Sequence, residues 1–122
     1  MAAYMIVLAR VHDRERFVSS YAVRAAELVA QFGGRYVLRA PGALSLEGIL
    51  GDGRSVVISE WPDKASAQRF WDSPAYREAA ELRKDICDAE VLLIEGELSQ
   101  ATTGSLAVAA DDNSASVSEA KA

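Results

Sequence analysis

Residues Glu60 to Tyr76 give the clearest indication of the fold and read EWPDKASAQRFWDSPAY. This stretch opens at the end of an apolar, β-branched segment, and Pro62 then marks a turn out of the strand. Asp63 is placed to cap a helix by accepting from its free backbone amides. Ser73-Pro74 interrupts that helix and restarts it, because serine caps well and proline suits the first helical position. The stretch therefore predicts a strand followed by two consecutive helices.

The segments before this stretch supply a strand, a long helix and a second strand. Tyr4–Val11 is apolar and β-branched, which predicts the first strand. Asp13 caps a helix that Gly33-Gly34 ends, since glycine adopts the left-handed conformation at little cost. The apolar stripe of this helix recurs at spacings of three and four residues: Phe17, Tyr21, Ala25, Leu28 and Phe32.

The remaining strands follow the same rules. Arg35–Arg39 predicts a short strand, and Leu44–Leu50 predicts a further extended segment. Gly51-Asp52-Gly53 is typical of a hairpin turn that leads into a strand over Ser55–Trp61. Glu90–Gly96 predicts the last strand, and the helix before it carries Tyr76, Arg83 and Cys87 on one face.

The order β-α-β-β-α-β predicts an α+β fold, the ferredoxin-like sandwich. Right-handed crossovers place both helical connections on one side of the sheet. The strands are nevertheless apolar on both faces, as Tyr4, Ile6 and Leu8 alternate with Met5, Val7 and Ala9. Burying about eight such side chains on the uncovered face is worth roughly 12–24 kcal/mol, against about 4–15 kcal/mol lost on association. We therefore expect a homodimer, a dimeric α/β barrel in which two sheets pack face to face.

Length and composition indicate one domain with a polar extension. The 122 residues carry a net charge of −5, which gives no basic surface for nucleic acid. We expect the domain to span residues 1–97 and residues 98–122, rich in small and acidic residues, to form a disordered acidic tail; a partner-binding tail is the alternative. Cys87, the single cysteine, is expected to be a packed apolar group. Arg10 and His12 interrupt the N-terminal apolar run, which excludes a membrane span there and favours a cytoplasmic protein.

Several motifs together resemble the domain-of-unknown-function 1330 family over residues 3–96. They are Gly33-Gly34-Arg35, Leu46-Glu47-Gly48, Glu60-Trp61-Pro62, Trp71-Asp72-Ser73-Pro74-Ala75-Tyr76 and Leu82-Arg83. The resemblance implies a dimeric α/β barrel of the ferredoxin-like type and no particular activity; the wider superfamily includes cofactor-free oxygenases, haem-degrading enzymes and isomerases. Two departures are Trp61, where the pattern has Phe, and Ala40-Pro41-Gly42, where it has a second glycine after Arg39.

Charged residues in and beside the apolar strands are the first candidates for chemistry. Arg10, Arg39, Glu47 and Glu60 either form an ion-pair network at the sheet edge or dimer interface, or gather in a pocket. In a pocket, Arg39 would bind an anionic or carbonyl oxygen, and Glu60 or Glu47 would serve as a base.

Aromatic and further charged residues complete the candidate ligand site. Trp71 and Tyr76 either pack in the core or wall a pocket, and Arg83 either lies on the surface or faces the same pocket. His12, the single histidine, lies just before the first helix, where an exposed turn residue is typical. Acid–base catalysis is the alternative role for it. No second His or Cys stands at ligand spacing, so we expect no metal. The resemblance to the wider superfamily implies that a haem-degrading member would carry an axial histidine on its second helix; residues 64–86 hold no histidine, which argues against haem.

The sequence therefore leaves three hypotheses open: two in which the protein has a functional site, and one in which it has none. The first is a cofactor-free enzyme acting on a small anionic or carbonyl-bearing molecule, with Glu60 as the base and Arg39 or Arg83 stabilising negative charge. The second is a non-catalytic module that binds a small ligand, and the third is a purely structural dimer.

Overall fold

The computed structural model describes residues 1–99. The predicted order of elements is confirmed: strands and helices alternate as β-α-β-β-α-β, with each helical connection divided into shorter pieces. The strands are β1 (Ala3–Val11), β2 (Arg35–Ala40), β3 (Ser55–Trp61) and β4 (Cys87–Glu95). The helices are α1 (Arg14–Arg16), a π-helical segment (Phe17–Ala22), α2 (Val23–Gln31), α3 (Lys64–Asp72) and α4 (Pro74–Glu81).

The four strands form one antiparallel sheet in the order β2-β3-β1-β4, and the α+β ferredoxin-like fold is confirmed. The register aligns side chains into rows that cross all four strands. One row joins Leu38, Ile58, Ile6 and Leu92, and the next joins Arg39, Val57, Val7 and Val91. Because neighbouring residues of a strand face opposite sides, these two rows lie on opposite faces of the sheet.

The predicted helix caps are present. Asp13 accepts from the backbone N–H of Arg16 at 3.1 Å, and Asp63 accepts from that of Ser66 at 2.7 Å. Ser73 Oγ accepts from the backbone N–H of Tyr76 at 3.1 Å. Each cap satisfies an amide at a helix start that has no partner within the helix. These contacts fix where α1, α3 and α4 begin.

Large side chains fill one end of the space between helices and sheet. Trp61 lies there with 1% of its surface exposed, and its Nε1 donates to Ser59 Oγ at 2.9 Å. Gly34 lies against the indole, since a Cβ at this position would be 2.8 Å from its ring atoms. The core cluster consists of Ala3, Met5, Leu28, Val29, Trp61, Ala67, Phe70, Tyr76 and Ala79.

The opposite face of the sheet, which we call the open sheet face, is apolar, and no helix within residues 1–99 packs on it. Its members follow from the register: Tyr4, Ile6, Leu8, Leu38, Val56, Ile58, Leu92 and Ile94. Leu92 is 53% exposed and Ile94 57% exposed. This matches the expectation that the strands are apolar on both faces.

Two sequence expectations need correction. The segment Leu44–Leu50 is not extended but is part of an irregular loop from Pro41 to Arg54. The loop is closed by two backbone hydrogen bonds: the N–H of Ala43 donates to the carbonyl of Arg54, and the carbonyl of Ala43 accepts from the N–H of Gly53. Cys87 does not lie on a helix; α4 ends at Glu81, and Cys87 is the first residue of β4. Glycines interrupt the apolar pattern in the first segment, and charged residues interrupt it before Cys87 in the second. The start of β4 is set by its pairing with β1.

The predicted tail falls almost wholly outside the described residues, which end at Ser99, so it stays a prediction. Within residues 1–99, no helix combines the length and apolar composition needed to cross a bilayer.

Candidate functional site

A cavity of about 320 Å³ lies between the helices and the helix-facing side of the sheet. It occupies the end of the sheet opposite Trp61, where the register pairs Ala9 with Ser55 and Val11 with Cys87. These strand residues are small, and Ala22 and Ala25 face them from the first helical connection. The cavity therefore exists because the side chains that meet at this end of the sheet are small, whereas large side chains fill the other end.

Aromatic rings form the wall between the filled end and the cavity. Phe70 and Tyr76 have ring centroids 4.6 Å apart, and Trp71 lies 5.2 Å from Tyr76. All three line the cavity, as do Phe17 and Tyr21. The walls therefore suit a ligand with an apolar, ring-containing body.

Two tyrosine hydroxyls meet at the cavity. Tyr21 Oη and Tyr76 Oη are 2.8 Å apart, and Arg83 Nη2 donates to Tyr76 Oη at 3.5 Å. Burial raises the pKa of Tyr21 well above its usual range, with Tyr76 nearby adding to the effect, so Tyr21 is a neutral phenol at physiological pH. Only one of the two hydroxyl protons is used between the tyrosines, so the pair retains a proton to donate to a ligand.

Arg83 stays charged beside this pair. Burial alone would lower the pKa of its guanidinium, but the hydrogen bond to Tyr76 and the nearby tyrosine oxygens raise it above the usual value. Its Cζ also lies 5.5 Å from the centroid of the Tyr21 ring. The result is a half-buried cation next to a hydroxyl donor.

Two more arginines line the cavity. Arg14 Nη2 donates to Ser55 Oγ at 3.2 Å, and Arg39 Cζ lies 4.8 Å from the centroid of the Tyr36 ring. Among the described lining residues there is no Asp, Glu or His. Within residues 1–99, no group of three His, Cys, Asp or Glu side chains converges into a metal site. The charged groups of the cavity wall are therefore all cationic.

Four of the residues singled out in the sequence come together around the cavity: Arg39, Trp71, Tyr76 and Arg83. A β-bulge between Tyr36 and Leu38 brings Arg39 there. In a regular strand, Arg35 and Arg39 would face the same side, but the extra residue reverses the alternation between them. Arg35 pairs with Glu60 in the register while Arg39 lies opposite Val57, on the cavity side.

The other three residues lie elsewhere, and the expected pocket position of Glu60 is corrected. Glu60 is on the open sheet face, where Arg35 Nη2 lies 2.5 Å from it and Tyr4 Oη donates to it at 3.1 Å. Glu47 is exposed in the 41–54 loop. His12 is exposed too, with its Nε2 2.8 Å from Asp88 Oδ2. The strand register separates Glu60 from Arg39, so the proposed base and anion holder do not share a site.

Sequence reasoning missed Tyr21 and Arg14 as cavity residues. Tyr21 was assigned only to the apolar stripe of the first helical connection. The available signal was its hydroxyl, because a buried tyrosine needs a hydrogen-bond partner that phenylalanine does not. Tyr76 supplies that partner from 55 residues away.

Solved structures share this fold at low sequence identity. The RPA0582 protein of unknown function from Rhodopseudomonas palustris is 21% identical, with a TM-score of 0.65 over 80% of this chain and 83% of that one. The cofactor-independent oxygenase SnoaB from Streptomyces nogalater is 20% identical, with a TM-score of 0.60 over 83% and 98%. A dimeric ferredoxin-like protein of unknown function from Jannaschia sp. CCS1 is 13% identical, with a TM-score of 0.61 over 79% and 100%.

A search of the curated proteins finds no match. The model of a protein family, however, matches residues 2–97, which include the strands and helices found in the described part of the chain and all the cavity residues described above. The match agrees with the resemblance found in the sequence motifs, and the chain belongs to the family described as Domain of unknown function (DUF1330).

Proposed function

We propose that this protein binds a small organic molecule in the cavity between its helices and its sheet. The observation that carries the proposal is a cavity of about 320 Å³ with mostly apolar walls and one convergent group of hydroxyl and guanidinium donors. Ligand pockets have this composition and volumes of roughly 300–1,000 Å³. A packing fault would be smaller, because protein interiors hold few voids larger than a water molecule.

The same chain is proposed to act as a homodimer through the open sheet face. The row Leu38, Ile58, Ile6 and Leu92 presents apolar side chains from all four strands in the single chain. A second copy would remove this surface from water by packing sheet against sheet. The Jannaschia protein, which shares the fold, is described as dimeric, and this supports the proposal by analogy.

Binding without catalysis is the version of the proposal that the cavity favours. None of its described lining residues is a carboxylate or an imidazole, the usual general bases. Glu60, the base expected from sequence, lies on the other face and is already paired with Arg35.

A cofactor-free enzyme is the second candidate, because Arg39, Arg83 and the tyrosine hydroxyls would stabilise negative charge on a substrate oxygen. SnoaB is a cofactor-independent oxygenase with the same fold, which supports this candidate by analogy alone. If this chain catalyses such a reaction, its residues would hold the substrate and its oxyanion in a site closed to bulk water.

A thermal-shift screen of small acids, aldehydes and ketones tests the binding proposal. A compound that binds the folded chain raises its apparent melting temperature by mass action. Trp71 lines the cavity whereas Trp61 is buried outside it, so a true cavity ligand should also change the fluorescence of Trp71. The ligand-induced fluorescence change should disappear in Trp71→Phe. It should persist in Glu60→Gln, because that substitution changes the opposite face of the sheet.

A cavity-filling variant distinguishes binding in the cavity from binding on the protein surface. Val57→Phe places a ring on the cavity floor and should abolish the shift while the protein stays folded by circular dichroism. Ligands that bind Val57→Phe as tightly as the wild type, or a screen without any hit, would contradict the proposal.

A further inference from the structure

The cavity wall carries positive charge that no described residue neutralises. Arg14, Arg39 and Arg83 line it, and none of the three has a carboxylate within salt-bridge distance in residues 1–99. Their observed contacts are neutral: a serine hydroxyl, a tyrosine ring and a tyrosine hydroxyl.

Arg83 makes this imbalance costly. It is half-buried, and removing a guanidinium from water without a counter-charge is unfavourable. An anion in the cavity would recover that loss and form charge-assisted hydrogen bonds, which are stronger than neutral ones. Because the cavity is partly enclosed by apolar walls, the field of the three arginines is also screened less than on an open surface.

The tyrosine pair adds a second donor beside Arg83. Tyr76 Oη accepts from Arg83 and shares a proton with Tyr21, which leaves one hydroxyl proton for a ligand oxygen. Guanidinium and hydroxyl donors that lie side by side in this way suit the two oxygens of a carboxylate.

We infer that the ligand of this cavity is an organic anion, a carboxylate on an aromatic or similarly apolar body, bound by Arg83 with Tyr76 and steered by Arg39 and Arg14. The inference rests on the proposed function, since it names the ligand class of the same cavity. The apolar walls formed by Phe17, Phe70 and Trp71 accept the body, and the arginines accept the charge.

The test compares two probes of matched shape, 2-naphthoate and the neutral ketone 2-acetonaphthone, by isothermal titration calorimetry on the full chain. Hydrogen bonds to charged groups imply that the acid binds about tenfold to a hundredfold more tightly than the ketone at low salt. Raising the salt concentration should weaken binding of the acid and leave the ketone unchanged.

Three variants locate the effect. Arg83→Met should remove most of the preference for the acid while keeping the affinity for the ketone, which also shows that the cavity is intact. Arg39→Met should lower acid affinity less and reduce its salt dependence. Arg69→Met is the matched control, because Arg69 is exposed on α3, donates to Ser66 Oγ at 3.0 Å and does not line the cavity; it should leave both affinities unchanged.

The outcomes separate the two claims. Equal binding of acid and ketone, or an acid preference that survives Arg83→Met, would overturn the inference and leave the binding proposal standing. If neither probe binds and the wider screen also finds no ligand, the binding proposal fails, and the inference fails with it.

Discussion

At the scale of single residues, the contact between Gly34 and Trp61 explains one part of the sequence pattern. The indole fills the closed end of the fold with almost none of its surface exposed, and the backbone of Gly34 lies directly on it. A Cβ at Gly34 would stand 2.8 Å from three ring atoms, well inside ordinary contact distance. With the indole of Trp61 in this position, only a residue without a side chain fits at position 34.

We expect Gly34→Ala to destabilise the protein by about 1–3 kcal/mol, the usual cost of overpacking a core. Gly51→Ala is the control, because a Cβ there meets nothing within 4 Å. Chemical denaturation of both variants measures the difference. Adding Trp61→Phe to Gly34→Ala should recover part of the loss, since the smaller ring leaves room for the new methyl group. A Gly34→Ala protein as stable as Gly51→Ala would show that the close contact does not constrain this position.

At the scale of elements, the caps and the bulge have different consequences. Asp63 and Ser73 set where α3 and α4 start, because each accepts a hydrogen bond from the backbone N–H three residues further along the chain. The β2 bulge acts across the sheet, because it moves Arg39 to the cavity face while Arg35 remains with Glu60. The caps thus determine the fold locally, and the bulge determines which charges reach the site.

The Asp63 cap predicts a pH dependence of stability. Hydrogen bonds from Ser66 lower the pKa of Asp63 below its usual value of 3.8, so the folded state holds the ionised form more strongly than the unfolded state does. The stabilisation is therefore fully present above about pH 4 and is lost as the pH falls through the lower, folded-state pKa.

Asp63→Asn tests this, because asparagine keeps the cap but does not titrate. Its melting temperature should lie below that of the wild type at neutral pH, and the gap should close as the solution is acidified below pH 4. Asp72→Asn, which removes an exposed charge at the end of α3 that caps no helix start, is the control. A gap that stays constant from neutral to acidic pH would show that ionisation of Asp63 does not contribute.

At the scale of the whole molecule, the two faces of the sheet have different expected partners. One face carries the helices and the cavity, and the open sheet face carries apolar side chains that a single chain leaves partly in water. Glu60, Arg35 and Tyr4 form a hydrogen-bonded group on that same face. Such a group would fix the relative position of two sheets rather than take part in chemistry.

Leu92→Asp should convert the proposed dimer to a monomer, because it places a charge in the apolar row of the open sheet face, at its β4 end. Leu82→Asp is the matched control: Leu82 is 44% exposed but follows α4 on the helical side. Light scattering at micromolar concentration distinguishes the two states. A wild-type chain that is already monomeric and folded, or a Leu92→Asp variant that remains dimeric, would contradict assembly through this face.

The order of elements, the three helix caps and the two-faced apolar strands could all be predicted from the sequence, because these features depend on residues close together in the chain. The sequence also singled out Trp71 and Tyr76, which flank the break between α3 and α4, and Arg83, which follows α4. Only the tertiary structure decided that Tyr21 meets Tyr76, that Arg39 faces the cavity and that Glu60 does not. The physical reason is register: one extra residue in β2 exchanges the faces of the sheet, and no local pattern in the chain reveals it.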